Sequence, residues 1–131
     1  MELSCYRPFH VGLLSLEGIR VFSWNGCVLS ERGASSGLLT TSSFRSREVQ
    51  AYRERRYLEL GCTCVDERRR FHVELHHEDR AFNPFMSRED SETHNVSVVE
   101  ITPEAICYRY EERKPGSLEL GEPETVCLEL G

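Results

Sequence analysis

Apolar and polar residues alternate with a period of two along much of this 131-residue chain, the pattern of strands that bury one face. The clearest case is "VEITPEAICYRYEERKPGSLELG", residues 99–121, which alternates, meets a charged Pro-Gly turn and alternates again, predicting a hairpin. "GIRVFSWNGCVLSER" has apolar residues on both parities, Ile19 and Val21 on one and Phe22 and Trp24 on the other. It predicts a strand buried on two sides and broken or bulged at "WNG". "RYLELGCTCV" alternates through Leu58, Leu60, Cys62 and Cys64, and "FHVELHHE" through Phe71, Val73 and Leu75. The charged "DERRR" between them, residues 66–70, predicts a hairpin turn. A Gly/Ser loop at 33–37 precedes a weaker strand at 38–44, and "DRAFNPFMSREDSETHN", residues 79–95, predicts a long mobile loop. "VSVVEI", "AICYRYEE", "SLELG" and "TVCLELG" complete the set, and no stretch is amphipathic over enough turns to predict a helix. Eight or so short strands without helices predict a single all-β domain over residues 1–131, a β-sandwich or jelly roll. Oligomerisation is one way to cover the exposed edges of so small a sandwich.

Composition narrows the function classes. Hydrophobic residues make up 39% and charged residues 29%, enough apolar surface for a core. No apolar run approaches the roughly 18 residues of a membrane span. The opening "MELSCYRPFHVGLLSLEG" lacks the basic start and small-residue cleavage site of a secretory signal, which predicts an intracellular protein. In that setting the six cysteines are expected as free thiols, although three disulfides with 15 connectivities are formally open. The net charge of −6, 22 acids against 16 bases, argues against naked nucleic acid as a sequence-specific ligand and for a basic partner.

Candidate chemistry is sparse. Cys62, Cys64, His72, His76 and His77 have the donor types of a zinc site, but C-x-C lacks the usual zinc spacing and the histidines fall on opposite parities. The bland alternative, packed thiols and surface histidines, is favoured. There is no G-x-S-x-G, H-E-x-x-H or Gly-rich phosphate loop, so no enzyme, no cofactor and no metal are expected. "REVQAYRERR", residues 47–56, has the arginine excess of a phosphate or acidic-protein contact, but a solvated strand face or subunit contact is the favoured reading. Acids at Glu78, Asp79, Glu89, Asp90 and Glu92 fall in the expected loop or directly before it and are the candidate partner-binding residues, since an acidic rim steers basic partners toward it.

The order of three segments resembles the nucleoplasmin/nucleophosmin family. "FSWNGCVLSERG" is similar to its Trp-Gly-Cys-Glu-Leu strand, "YLELGCTCVDERRRFHVEL" to its second block of strand, charged loop and returning strand, and "VEITPEAICYRYEERKPGSLELG" to its Glu-Ile/Leu-Thr-Pro hairpin. The resemblance implies an eight-stranded jelly-roll core in a ring-shaped homopentamer. It also implies a nuclear histone chaperone that shields histones or other basic proteins without catalysis. Subunit contacts would then involve Val98, Ile101, Ile106 and Tyr108, with Asp66 and Arg68 where pentamers stack. The alternative is a non-enzymatic β-sandwich interaction or structural module, viral or cellular, that binds a protein through a sheet edge.

Overall fold

A computed structural model describes residues 5–33 and 37–131, so most of the loop expected at 33–37 and the first four residues lie outside it. Among the described residues the chain is mostly β, with six strands in two three-stranded sheets and two helices. It divides into two compact units, one of residues 1–39 with Ile101–Pro103, the other of Thr40–Glu100 with Glu104–Gly131.

The first unit is a meander of β1 (Phe9–Ser15), β2 (Gly18–Trp24) and β3 (Leu29–Gly33), all antiparallel. β1 was not anticipated from the sequence. "WNG" is a turn rather than a bulge within one strand: the Asn25 side chain accepts from the N–H groups of Cys27 and Val28, and Gly26 adopts φ +96°. Val21, Ser23 and Trp24 are buried, with the Trp24 indole donating to the Tyr6 carbonyl at 3.2 Å and Ser23 hydrogen-bonded to His10 at 2.8 Å.

The second unit contains α1 (Ser46–Leu60), α2 (Val65–Val73) and, apart from the terminal Ile101 of β4, the sheet β4 (Asn95–Ile101), β5 (Ala105–Glu112), β6 (Glu124–Glu129) in that order. Here the sequence reading needs correction. The strands expected at "RYLELGCTCV" and "FHVELHHE", and the turn expected at "DERRR", are the end of α1, a short link and α2. No strand forms at 38–44, and "SLELG" contributes only a single bridge, Leu120 to Arg113. The eight expected strands are therefore six.

Propensity and end chemistry explain the helices where alternation misled. "REVQAYRERRYLEL" is rich in Glu, Arg, Gln, Ala and Leu, which lose little on entering a helix. Arg55 and Arg56 pair with Glu59 along its surface, and Gly61 ends it in the left-handed region at φ 59°. α2 starts at Cys64, where the Glu67 carboxylate turns back to accept from the N–H groups of Thr63 and Cys64 and from the Thr63 hydroxyl. Those bonds hold the Glu67 carboxyl down to about 2. Asp66 and Glu67 in the first turn and Arg70 in the last complement the helix dipole.

The core of this unit is aromatic. Tyr57 of α1 meets Phe71 of α2 edge-on at 5.2 Å, His76 stacks on Phe71, and His77 stacks on Phe82 at 4.6 Å. Phe71 and Phe85 are each 1% exposed, so each contributes about 1.5–3 kcal/mol of burial. Residues 79–94, between α2 and β4, run without long regular structure but carry buried Ala81, Phe82, Asn83 and Phe85. Asn83 holds them in place: its Oδ1 accepts from the N–H groups of His76 and His77 at 2.8 Å each, and its Nδ2 donates to the His77 carbonyl at 2.9 Å.

Candidate protein-binding surface

Strand β5 pairs antiparallel with β6, Cys107 opposite Cys127, and those two cysteines form a disulfide. This corrects the expectation of six free thiols. Cys27, Cys62 and Cys64 remain free thiols. Between β5 and β6 the expected turn is present. Pro115 and Gly116 reverse the chain, Lys114 N–H donates to the Glu119 carbonyl at 2.9 Å, and Gly121 N–H to the Glu112 carbonyl at 2.7 Å.

One face of this sheet packs on α2. Arg69 donates Nε and Nη2 to the two oxygens of Glu111 on β5, both at 2.6 Å, and Arg109 adds a third contact at 3.3 Å. These bonds, Arg69's foremost, hold the Glu111 carboxyl below its ordinary range although it is 3% exposed. Val98, Glu100 and Arg109 from the strands and Asp66 and Arg69 from α2 line a recess of about 400 Å³ here.

The opposite face is uncovered. Side chains alternate along a strand, so the register places Tyr110, Tyr108 and Ile106 of β5 with Glu124, Val126 and Leu128 of β6. A hydrogen bond of 3.0 Å between the Tyr108 and Ser97 hydroxyls puts Ser97 on that face, and with it Val99 and Ile101 of β4. Val126 is 70% exposed, Leu128 63% and Tyr108 42%.

Among the described residues no strand pairs with the outer edge of β6, and all six of its residues are exposed. Leu130 N–H donates to the Glu104 carbonyl at 2.7 Å, which sets the hydrogen-bonding phase of the pair. In an antiparallel pair, residues opposite one another alternate between exchanging and not exchanging bonds. Leu128 and Val126 therefore bond inward to β5, while Thr125, Cys127 and Glu129 direct their N–H and C=O groups outward, available to another strand.

The candidate residues from the sequence separate accordingly. Ile101, Ile106 and Tyr108 share the uncovered face, whereas Val98 lies on the opposite face beside Asp66. Asp66 and Arg68 belong to α2 rather than to a hairpin turn. Of the acids, Asp79, Glu89 and Asp90 meet around an open cavity of about 670 Å³ with Phe44 and Arg88. Glu92 is drawn away to Arg113 at 3.1 Å, and Glu78 is exposed and does not line the cavity. The sequence marks β6 as a strand but carries no local signal for its role as an edge, because edge position depends on strand order.

Among the described residues no group of three or more His, Cys, Asp or Glu is placed to hold a metal ion. Cys62 lies 3.6 Å from the Glu67 carbonyl, and burial, reinforced by the Glu67 carboxylate, pushes its thiol up. His76 and His77 pack against aromatic rings. No helix among the described residues is long and apolar enough to cross a membrane. No family model matches the chain, and neither a curated protein nor a solved structure matches it.

Proposed function

We propose that this chain is a non-enzymatic protein-interaction module that takes an extended, basic segment of its partner as an added strand along β6. The observation that carries this reading is the open β6 edge, with Thr125, Cys127 and Glu129 facing outward beside uncovered Val126 and Leu128. Strand addition draws affinity from main-chain bonds and specificity from alternate side chains. Residues 122–131 carry Glu122, Glu124 and Glu129 and no base, within a chain of net charge −6. A second copy on this edge would align carboxylates with no cation, so a partner segment with Lys or Arg flanking apolar residues fits better. Histones and other basic nuclear proteins are the candidates supplied by the family resemblance.

Binding to a core histone dimer, followed by calorimetry at rising salt, tests the reading, with Thr125→Pro as the decisive variant. Proline there removes an outward N–H and leaves the inward ladder intact. The expected result is binding that weakens with salt and drops at least tenfold in the variant; equal binding by the variant overturns the edge assignment.

A second reading keeps the nucleoplasmin-like chaperone core in a pentameric ring, with the six described strands in place of the eight that the resemblance implies. The gathering of Asp79, Glu89 and Asp90 at one open cavity favours it, since those acids would face the histone. Its subunit contacts would use Ile101, Ile106 and Tyr108. Native mass spectrometry decides this reading: a pentamer supports it, and a monomer at micromolar concentration removes it.

A further inference from the structure

A second cavity, of about 410 Å³, lies in the unit of Thr40–Glu100 and is lined by Arg53 and Arg88, by Thr41 and Ser43, and by apolar Pro84 and Met86. Its volume falls in the range of about 300–1,000 Å³ typical of small-molecule sites. No acid lines it, in contrast to the cavity around Asp79, Glu89 and Asp90.

Of the two guanidinium charges on its wall, that of Arg88 is paired with Asp90 at 3.1 Å, whereas that of Arg53 has no counterion among the described residues. Arg53 spends all five of its N–H groups on neutral oxygens: the carbonyls of Phe82, Thr41, Ala81 and Asn83 and the hydroxyl of Thr40. No carboxylate lies within ion-pair distance of it among the described residues, and burial lowers its pKa. The same charge depresses the pKa of His72, behind desolvation. Arg53 therefore clamps the backbone of residues 81–83 to α1 and leaves a fixed positive potential at the cavity.

Donors remain for a ligand. Arg88 uses Nη2 on Ser91 and Asp90; its Nε lies 3.1 Å from Asp90 but out of line for a hydrogen bond, and its Nη1 makes no bond to a described residue. Thr41 and Ser43 are exposed, and their hydroxyls likewise make no bond to a described residue. By contrast Ser42 and Thr93 are occupied, Ser42 with Phe44 and Thr93 with Pro84 and Met86.

We infer that this cavity binds a small phosphomonoester, its phosphate against the Arg53 charge, Arg88 Nη1 and the Thr41 and Ser43 hydroxyls, its organic part against Pro84 and Met86. A phosphomonoester carries about −1.5 to −2 charge at neutral pH. It gains more from an unneutralised guanidinium than a carboxylate does, and the cavity exceeds what inorganic phosphate alone fills. The site is separate from the β6 edge and does not depend on that reading.

Phenyl phosphate, inorganic phosphate and benzoate, each titrated into the full chain at constant ionic strength and followed by amide NMR shifts, test this. Phenyl phosphate is expected to saturate with Kd on the order of 1 mM or tighter, shifting the amides of Thr41 and Ser43. Inorganic phosphate should bind more weakly at the same amides and benzoate more weakly still. Arg88→Gln, which spares the Arg53 clamp, should weaken phenyl phosphate about tenfold, the loss of one charged hydrogen bond. Ser43→Ala, at an exposed position, should weaken it severalfold with the fold unchanged. Shifts that fail to saturate, benzoate binding as tightly as phenyl phosphate, or undiminished binding in the folded Ser43→Ala and Arg88→Gln chains would overturn the assignment. Saturation by inorganic phosphate as tight as by phenyl phosphate would overturn the choice of an organic ester.

Discussion

Arg69 on α2 and Glu111 on β5 are joined by two hydrogen bonds of 2.6 Å, 42 residues apart in the chain. The Glu111 side chain is 4% exposed and that of Arg69 26%, so the bidentate pair is withdrawn from most of the solvent. It fixes which face of the sheet α2 covers, and by exclusion which face stays open.

Removing Arg69 leaves Glu111 with the single, longer contact to Arg109. Breaking a buried pair costs about 3–5 kcal/mol, and the remaining arginine lowers the expectation for Arg69→Ala to about 2–3 kcal/mol. The double variant Arg69→Met with Glu111→Leu should recover much of that loss. Urea midpoints of the three proteins check both statements, and a double variant as unstable as the single would sink them.

Acid should destabilise the protein in a defined window. Glu67, bonded to the Thr63 and Cys64 N–H groups, has a folded pKa lowered from 4.5 to about 2, and Glu111 is lowered chiefly by its hydrogen bonds from Arg69. A carboxyl with a depressed folded pKa binds protons more readily when unfolded. The stabilisation is therefore complete above pH 4.5 and is lost as pH falls toward 2. Glu67→Gln should flatten the acid limb of stability against pH; an unchanged slope would show that these bonds do not persist in solution.

Asn83→Ala strips the hydrogen-bond partners from the N–H groups of His76 and His77 and from the His77 carbonyl. The side chain is fully buried, so the expected loss is about 2–3 kcal/mol, with reduced hydrogen-exchange protection at His76 and His77. A loss below about 0.5 kcal/mol, the range of ordinary surface substitutions, would contradict this role.

The Cys107–Cys127 bond closes a loop with a sequence separation of 20, for which chain entropy predicts stabilisation of roughly 3 kcal/mol. Paired serine replacements, or a thiol reductant, should lower the thermal midpoint and increase exchange at β6 before β4. Exchange that rises evenly across the sheet would place the bond's effect elsewhere.

Period-two alternation found β2, β4, β5 and β6 and the turn at Pro115 and Gly116, because a half-exposed strand writes its two faces directly into the sequence. It failed over 46–73. α1 buries little beyond Val49 and Tyr57, so it has no apolar stripe to detect, and Leu58, Leu60, Cys62 and Cys64 alternate by coincidence across a helix end and a link. The signals that do mark these helices are the run of Glu, Arg, Gln and Ala, Gly61 at the end of α1, and Glu67 three residues after Cys64.

The sequence alone determined the acidity of the chain, strands β2, β4, β5 and β6 and the β5–β6 turn, all of which depend on residues near one another. Only the tertiary structure decided the rest. Pairing two cysteines out of 15 possible disulfide arrangements requires strand register. Gathering Asp79, Glu89 and Asp90 requires the folding of residues 79–94. Whether a strand is an edge, and whether an apolar face is core or binding surface, depends on what packs against it. Here α2 covers one face through Arg69 and Glu111, and no strand among the described residues pairs beyond β6.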